Sequence, residues 1–294
     1  MRVFILGLHS AIGRHLTAAL GKRGHRISGT SRAKEARKDL LPYLDDYHSL
    51  QLGDAADPGW FRNSDAVIYL AHDHDRNAAQ RNVEGTRAWY RSAGSAGVTR
   101  HLFCTSYSAK PDSHSTYGAV KFELETFFRA NRQWLVRPGL VAGPEGLFGT
   151  MLRLVRRLPF LPLLDGGRHP MPLVAPASVS AAVIYILEHD LAPGNWNLHR
   201  PDPVSMKELL SRMRVLSGSH CRFIPVPSIL PLVLLRSCEV LGIRLPMGAD
   251  SIAALRENRD LRRPSHLADL KVKDPPLDEQ ILRLIRTAPG GRDA

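Results

Sequence analysis

A glycine-bearing turn near the N-terminus constrains the fold of this chain more than any other feature. The turn is Gly7-Leu-His-Ser-Ala-Ile-Gly13, between a β-rich run at residues 2–6 and helical periodicity at residues 12–22. Gly7 allows a tight turn, and Gly13 lets the helix pack closely on the strand. The helix N-terminus then offers free N–H groups and a positive dipole end to a pyrophosphate. The turn therefore predicts a dinucleotide site, with an ordinary glycine turn as the alternative.

The first half of the chain alternates between strand-like and helix-like segments. Strands are predicted at residues 2–6, 26–30, 49–53, 66–71, 101–105 and 133–137, and helices at residues 12–22, 83–96 and 118–130. Such β-α-β alternation favours an α/β fold with a doubly wound parallel sheet, the Rossmann type, and helices on both faces.

The character of the chain changes after Pro138-Gly139, where proline becomes dense as far as Pro203. Helices are predicted at residues 151–158, 179–188, 205–216 and 231–241, with a short strand at 195–198. We predict a dinucleotide-binding domain at residues 1–145, to which residues 173–200 return. Residues 146–172 and 201–294 are predicted to form a smaller, mostly helical substrate lobe, frayed from residue 288 onward.

The composition favours a soluble globular protein of a reducing compartment, and we expect the cytoplasm. Apolar residues make up 44% of the chain, the 3 cysteines form no disulfide or zinc pattern, and no run of about 18 apolar residues predicts a membrane span. The first strand is too short to be a signal peptide. The net charge of +12 is spread along the chain, which disfavours nucleic acid and leaves a solubilising surface or an anionic small ligand.

The spacing of Tyr117-Gly-Ala-Val-Lys121 places a phenol and an ammonium on one face of a predicted helix. The ammonium is expected to stabilise the phenolate and lower the pKa of Tyr117, so that the pair can move protons near neutral pH. Thr105-Ser106 ends the predicted fifth strand, at the edge where open parallel sheets bind ligands. A hydroxyl there can orient the hydroxyl or carbonyl of a substrate.

The end of the second predicted strand bears on the choice of cofactor. An acidic residue usually holds the ribose 2′-hydroxyl there, but Ser31 takes that place and Arg32, Lys34 and Arg37 follow. The cationic strand end favours NADP, whereas solvated loop charges would leave NAD. Asp54 could bind the exocyclic amine of the adenine, and a turn aspartate is an equally good explanation.

Together these motifs resemble the short-chain dehydrogenase/reductase superfamily, and within it the extended branch of NAD(P)-dependent sugar-nucleotide epimerases, dehydratases and reductases. The resemblance covers nearly the whole chain. It rests on the Gly7–Gly13 turn, Gly53-Asp54, Tyr69-Leu-Ala-His72, Asn82-Val-Glu-Gly-Thr86, Thr105-Ser106, Tyr117 to Lys121 with Glu125, and Arg137-Pro-Gly-Leu-Val-Ala-Gly-Pro144.

The resemblance implies a role for each matching residue. Ser106, Tyr117 and Lys121 would form the catalytic triad, with Lys121 also holding the nicotinamide ribose. The implied cofactor contacts are Gly7, Ser10, Ala11, Ile12 and Gly13 at the pyrophosphate, Ser31, Arg32 and Asp54 at the adenosine, Leu70 and Ala71 along the cofactor, and Pro138 and Gly139 near the nicotinamide. It also implies hydride transfer with a nucleotide-sugar as the favoured substrate, and a homodimer through helices 83–96 and 118–130.

The chain departs from the family pattern in three places. Ser10 replaces the usual middle glycine, the link from Ser106 to Tyr117 is short, and residues 173–178 lack a usual aspartate. Two other functions therefore stay open: an NAD(P)-binding sensor or assembly protein with little turnover, and a reductase of an apolar carbonyl.

Several further residues have two readings. Arg153, Arg157 and Arg168 could meet the diphosphate of a substrate or could be solvated charges. His72-Asp-His-Asp75 invites a metal-site interpretation, but no other potential ligand adjoins it, and we predict no metal. The apolar helix at residues 231–241 could touch a membrane or a partner, although a core helix of the lobe is favoured.

Overall fold

The computed structural model describes residues 1–75, 77–240, 248–258 and 262–287. Its strands are β1 (Arg2–Leu6), β2 (Arg26–Ser31), β3 (Asp46–Ser49), β4 (Ala66–Tyr69), β5 (His101–Cys104), β6 (Trp134–Pro138), β7 (Leu140–Val141), β8 (Phe160–Leu164), β9 (Pro170–Met171), β10 (Leu173–Val174), β11 (Asn195–Leu198), β12 (Val204–Ser205) and β13 (Arg222–Val226). The α-helices are α1 (Ala11–Gly21), α2 (Ala79–Ser95), α3 (Thr116–Ala130), α4 (Gly146–Arg157), α5 (Pro176–Glu188), α6 (Met206–Leu216), α7 (Ile229–Val240), α8 (Ala249–Glu257) and α9 (Leu277–Thr287).

Seven strands form one parallel sheet in the order β11-β6-β5-β4-β1-β2-β3. The chain winds outward from β1 in one direction through β2 and β3, and in the other through β4, β5, β6 and β11. The strand order therefore reverses between β1 and β4, and open α/β sheets bind their ligands at such a point, outside the carboxyl ends of the strands. The predicted doubly wound α/β fold is confirmed.

Separate apolar clusters cover the two faces of the sheet. On one face, α1 and α5 pack together through side chains such as Leu16 and Val183. On the other face, α2 and α3 contribute Trp89, Leu124 and Phe128. Because both faces are covered, the central strands β1 and β4 are almost continuously apolar, as expected for a buried parallel sheet.

A third apolar cluster lies away from the sheet. It joins α4, α6, α8 and α9 with the parallel pair β8–β13, and Phe148, Val155, Leu209 and Met213 are among its fully buried members. Residues after β11 also pack on the sheet. Leu267 and Leu270 belong to the apolar cluster on the face covered by α1 and α5. Within the described residues, no helix combines the length and the apolar character needed to cross a bilayer.

Some predicted elements differ from the observed ones. The third strand was predicted at residues 49–53 but lies at Asp46–Ser49, because Gly53 has a φ of +103° and the backbone turns there. Leu50 and Leu52 are buried from a loop, so their apolar character misled the prediction. The β8–β13 pair, α8 and α9 were not predicted. Residue 241 and the segment from residue 288 onward, which was predicted to be frayed, lie outside the described residues.

Candidate active site

The Gly7–Gly13 turn closes tightly between β1 and α1. A Cβ on Gly7 would lie 2.8 Å from the amide nitrogen of Ala71, so Gly7 lets the backbone after β4 approach the turn. A Cβ on Gly13 would lie 2.4 Å from the carbonyl oxygen of Gly7, which leaves no room for any larger residue. Leu70 joins the same edge, because its N–H donates to the carbonyl of Leu6 at 2.8 Å. The turn therefore holds helix α1 directly against the end of the sheet.

Ser10 acts as the N-cap of α1, with its Oγ accepting from the N–H of Gly13 at 3.0 Å. The hydroxyl keeps its own proton for donation. Among the described groups, none accepts a hydrogen bond from the N–H of Ala11 or of Ile12. Two free N–H groups at a helix N-terminus are suited to bind an anion, and this feature fits the pyrophosphate of a dinucleotide.

Ser31 lies at the end of β2 with its hydroxyl already engaged. Its Oγ is 3.0 Å from Nδ1 of His9 and 2.7 Å from the hydroxyl of Tyr47, and it accepts from the N–H of Ala33 at 3.1 Å. The His9 ring also stacks on Tyr47, and burial together with the charge of Arg37 lowers the pKa of His9. Sequence reasoning missed His9, which is one of the variable positions of the glycine turn.

Arg32 and Arg81 flank one buried carboxylate, that of Asp73. The distance from Asp73 is 3.8 Å to Nη1 of Arg32 and 2.9 Å to Nη2 of Arg81. A hydrogen bond from the N–H of Asp75, followed by the two guanidinium charges, holds the pKa of Asp73 below its usual value. The Arg32 side chain is 67% exposed, so its charge is available to a ligand. Arg81 was not predicted, because nothing in the sequence connects the start of α2 with the end of β2.

Asp54 occupies a turn after β3. Its Oδ2 accepts from the N–H of Gln51 at 3.0 Å, and its carbonyl oxygen accepts from the indole N–H of Trp89 at 2.9 Å. The side chain is exposed. The observed contacts are those of a turn aspartate, the alternative interpretation of this residue.

Pro138 and Gly139 lie where β6 ends beside β5 and β11. The carbonyl of Pro138 accepts from the N–H of Tyr107, and the N–H of Gly139 donates to the carbonyl of Leu198, each at 2.9 Å. A Cβ on Gly139 would lie 2.0 Å from the carbonyl oxygen of Pro172. Only glycine fits this close approach, which joins the sheet edge to the segment before β10.

The three residues of the predicted triad meet at the carboxyl end of β5. Ser106 lies two residues after the end of β5, and its Oγ accepts from the N–H of Ser108 at 3.2 Å. The hydroxyl of Ser106 is near enough to the phenol of Tyr117 to favour its ionised form. The ammonium of Lys121 is buried, lies 5.8 Å from the centre of the Tyr117 ring, and donates to the carbonyl of Cys104 at 2.9 Å.

The electrostatics of this cluster differ from the expectation that Lys121 lowers the pKa of Tyr117. Burial raises the pKa of Tyr117 to about 12, and only the nearby hydroxyl of Ser106 opposes that shift. Burial also lowers the pKa of Lys121. The prediction is wrong for this structure, because the ammonium lies over the ring and bonds to a carbonyl instead of contacting the phenol oxygen. Proton transfer near pH 7 requires a change at this site.

His72 and His74 pack around the ring of Tyr117. The ring of His72 meets it edge-on at 4.9 Å between centroids, and the ring of His74 stacks at 6.2 Å. Burial first, then the charge of Lys121, lowers the pKa of His72 to about 2. Within the described residues, no group of three His, Cys, Asp or Glu side chains could hold a metal ion. The segment predicted to invite a metal instead lies beside the candidate catalytic residue.

Helix α8 holds the short link between Ser106 and Tyr117. The carboxylate of Asp250 accepts from the N–H of Thr116 at 2.6 Å and from the N–H of Tyr117 at 3.3 Å. Glu257 accepts from the N–H of His114 at 2.6 Å and from the Oγ of Ser113 at 2.8 Å. These carboxylates bind the N-terminus of α3, where anions are favoured, and so fix the start of the helix that carries Tyr117.

The three arginines predicted as substrate ligands differ in their availability. Arg153 donates to the carbonyl of Pro144 at 2.9 Å and to the Oγ1 of Thr150 at 2.8 Å, so its guanidinium is engaged within the start of α4. Arg157 and Arg168 are exposed. Because both of these bonds are internal, the Arg153 guanidinium is not free to bind an anionic substrate in this structure.

Three solved structures with the same fold are named as enzymes of nucleotide sugars. A nucleoside-diphosphate-sugar epimerase from Staphylococcus aureus aligns over 96% of this chain and 100% of its own, with a TM-score of 0.76 and 15% identity. An NAD-dependent NDP-hexosamine 5,6-dehydratase aligns over 96% of both chains, with a TM-score of 0.70 and 16% identity. The UDP-glucose 4-epimerase of Thermotoga maritima, solved with UDP-glucose, also aligns over 96% of both chains, with a TM-score of 0.68 and 15% identity. No curated protein sequence matches the chain.

The fold and the glycine turn define a Rossmann-type α/β protein. The sequence model of the NAD dependent epimerase/dehydratase family matches residues 3–198, which is most of the chain. The chain belongs to that family, as its sequence motifs indicated.

Proposed function

We propose that this protein is an NAD(P)-dependent oxidoreductase or epimerase that acts on a hydroxyl or carbonyl of a nucleotide-sugar. The observation that carries the proposal is the meeting of Ser106, Tyr117 and Lys121 at the carboxyl end of β5, with the Lys121 ammonium 5.8 Å from the centre of the Tyr117 ring. Family membership and the sugar-nucleotide enzymes of like fold support the substrate class.

Each residue of the cluster has a separate task in the proposed reaction. Ser106 orients the substrate hydroxyl through its Oγ. Tyr117 accepts the proton of that hydroxyl during oxidation and returns it during reduction. Lys121 supports the phenolate once its ammonium turns from the carbonyl of Cys104 toward the phenol oxygen. When bound, the nicotinamide supplies hydride acceptance and donation at the carbon of the substrate.

The residues of the glycine turn fit a dinucleotide. The free N–H groups of Ala11 and Ile12 would bind the pyrophosphate, and Gly7 and Gly13 would allow its close approach. We propose NADP as the cofactor because Arg32 is exposed at the end of β2 and Arg81 adds a second guanidinium beside it. NAD is the alternative, which the name of the family favours.

The third apolar cluster is proposed as the core of the substrate lobe, at residues 146–172 and 201–294 as predicted. Exposed Arg157 and Arg168 are the candidate ligands of an anionic substrate within it.

We further propose a cytoplasmic homodimer through α2 and α3. Sedimentation of the purified protein tests the dimer, because a monomer at all concentrations would contradict it.

A sensor or assembly protein with little turnover is the second candidate. One observation favours it: the pKa of Tyr117 is raised to about 12 and the Lys121 ammonium is engaged with a backbone carbonyl. With such a pKa, the Tyr117 phenol keeps its proton at neutral pH and does not act as a base.

Turnover by the Tyr117→Phe variant separates the two candidates. Purified protein is incubated with UDP-sugars and small carbonyls in the presence of each nicotinamide cofactor, and products and absorbance are followed. We expect Tyr117→Phe to bind cofactor normally and to lose about 10²- to 10⁴-fold in turnover. Tyr185→Phe, which removes a phenol hydroxyl from α5, is the matched control. Equal turnover by wild type and Tyr117→Phe would contradict the proposal, and tight cofactor binding without any turnover would favour the sensor.

A further inference from the structure

The second lobe exposes a group of apolar side chains that the proposed chemistry does not use. Each is between 47% and 63% exposed, and we call the group the apolar ridge: Phe160, Ile224, Ile229, Leu230, Val233 and Leu234. Exposed apolar residues that occur singly need no explanation, but a contiguous group marks an interaction surface.

The members of the apolar ridge follow one another along connected elements. Strands β8 and β13 pair in parallel, with Pro162 opposite Ile224. Helix α7 begins three residues after β13 ends. Its start is fixed to the same pair, because the N–H of Ser228 donates to Oδ1 of Asp165, directly after β8, at 2.7 Å. The exposed face of the strand pair therefore continues into the exposed face of α7.

Helix α7 is half buried, which corrects its prediction as a core helix. Leu232 is buried in the third apolar cluster, and Leu235 packs against that cluster. The positions of Ile229, Leu230, Val233 and Leu234 differ by one, four and five residues, which places them on one arc of the helix. An ordinary surface helix carries polar residues on its solvent face. In the first half of α7, residues 229–234, the solvent face is aliphatic.

The charges around the apolar ridge are mainly positive, with Asp165 after β8 and Glu239 near the end of α7 as acidic exceptions. Residues 146–164 and 209–238 contain seven arginines and no aspartate, glutamate or lysine. Three of these arginines are exposed and close to members of the ridge in sequence or in strand pairing, and we call them the basic rim: Arg156, Arg222 and Arg236. Arg222 lies opposite Phe160 in the strand pair. Arg236 lies one helical turn beyond Val233.

These charges decide which partner the surface fits. If a second copy of the chain bound here, the basic rims of the two copies would lie close together, and their like charges would repel each other. Protein hot spots are rich in Trp, Tyr and Arg and poor in Leu and Val, whereas the ridge is aliphatic apart from Phe160. We propose that the apolar ridge and the basic rim dock on an anionic lipid bilayer, with α7 lying in the interface and the arginines meeting the lipid phosphates.

Vesicle co-sedimentation tests the proposal. The full chain is spun with vesicles of phosphatidylcholine alone, or with phosphatidylglycerol added, at low and high salt. We expect binding to the anionic vesicles that weakens with salt. The double variant Val233→Ser and Leu234→Ser should bind at least about tenfold more weakly. Arg222→Gln and Arg236→Gln should each cost about fivefold.

Matched controls come from the other side of the chain. Leu41 is 55% exposed in the dinucleotide-binding half, so Leu41→Ser should leave vesicle binding unchanged. Absence of vesicle binding, equal binding to neutral vesicles, or an equal loss in Leu41→Ser would overturn the proposal. So would self-association in solution that disappears in the Val233→Ser, Leu234→Ser variant, since the surface would then bind a second copy. Unchanged circular dichroism of each variant excludes unfolding as the cause of lost binding.

Discussion

At the scale of single residues, burial raises the pKa of the candidate catalytic phenol. The ring of Tyr117 packs against the rings of His72 and His74. The sequence placed Tyr117 and Lys121 on one face of a helix correctly, because that follows from helical spacing alone. It could not show that the ammonium would bond to the carbonyl of Cys104, since that depends on how α3 packs on β5.

Half-buried His72 predicts a loss of stability in acid. Its folded-state pKa of about 2 is below the ordinary value of 6.5, so the unfolded chain binds a proton between these values while the folded chain does not. Stability is therefore lost as the pH falls below about 6.5. We expect His72 to account for about 1–2 kcal/mol of the loss in the free energy of unfolding between pH 7 and pH 5. Urea titrations of His72→Gln should show a smaller pH dependence than those of exposed His114→Gln, and equal dependence in both variants would contradict the assignment.

Arg32 predicts the preference between cofactors. If its exposed guanidinium meets a 2′-phosphate, Arg32→Ala should weaken NADP binding by about tenfold or more and leave NAD binding nearly unchanged. Fluorescence titration with NADPH and NADH measures both. Arg62→Ala, another exposed arginine, serves as the control. Equal losses for the two cofactors in Arg32→Ala would argue against a contact with the phosphate.

At the scale of elements, two helix N-termini define the site. The start of α1 depends on Gly13. A Cβ at this position would lie 2.4 Å from the carbonyl oxygen of Gly7, so only glycine fits. The start of α3 depends on Asp250, which reaches it from α8. The first was predicted from a local motif. The second was not, because more than a hundred residues separate Asp250 from Thr116 and no pattern connects them.

Gly13→Ala should both destabilise the fold and impair the cofactor site. The added methyl group must displace backbone atoms, at a cost of about 1–3 kcal/mol in the free energy of unfolding. Gly94→Ala in α2 is the matched control, because its Cβ meets nothing within 4 Å, and it should stabilise the helix by about 1 kcal/mol. Thermal melts and cofactor titrations compare the two. Normal stability and normal binding in Gly13→Ala would refute the close packing of the turn.

Asp250→Ala should loosen the start of α3. Loss of the acceptor for Thr116 and Tyr117 is expected to cost about 1 kcal/mol and to lower kcat by more than it changes KM, because Tyr117 would lose its fixed position. Exposed Asp269→Ala controls for the loss of a carboxylate. If the two variants had the same melting temperature and kcat, α8 would have no role in positioning the catalytic helix.

At the scale of the whole molecule, a buried polar network ties the sheet to α3. Glu125 is 1% exposed and accepts from Arg137 on β6, from Arg129 on its own helix, and from Thr105 next to Ser106. Arg137 also donates to Asn197 on β11 at 2.9 Å. The network therefore spans three neighbouring elements beneath the candidate site. The sheet order was predictable from the β-α-β alternation, but the partners of Glu125 depend on which strands become neighbours.

Removing the charge of Glu125 should destabilise the protein strongly. Glu125→Gln leaves Arg137 buried beside a neutral amide, and we expect a loss of about 3–5 kcal/mol in the free energy of unfolding. Glu123→Gln, two residues away in an exposed pair with Arg87, should cost less than about 1 kcal/mol. Chemical denaturation measures both, and similar values for the two variants would contradict the importance of the buried pair.

Titration of the purified protein with NADP and NAD, alongside Gly13→Ala, tests the central claim most directly. The account predicts saturable binding of at least one cofactor to the wild type, and a loss of at least about tenfold in affinity for the variant, because the N–H groups of α1 would no longer meet the pyrophosphate. Failure of both cofactors to bind the wild type at millimolar concentration, or undiminished affinity in a folded Gly13→Ala variant, would show that the glycine turn does not hold a nicotinamide dinucleotide.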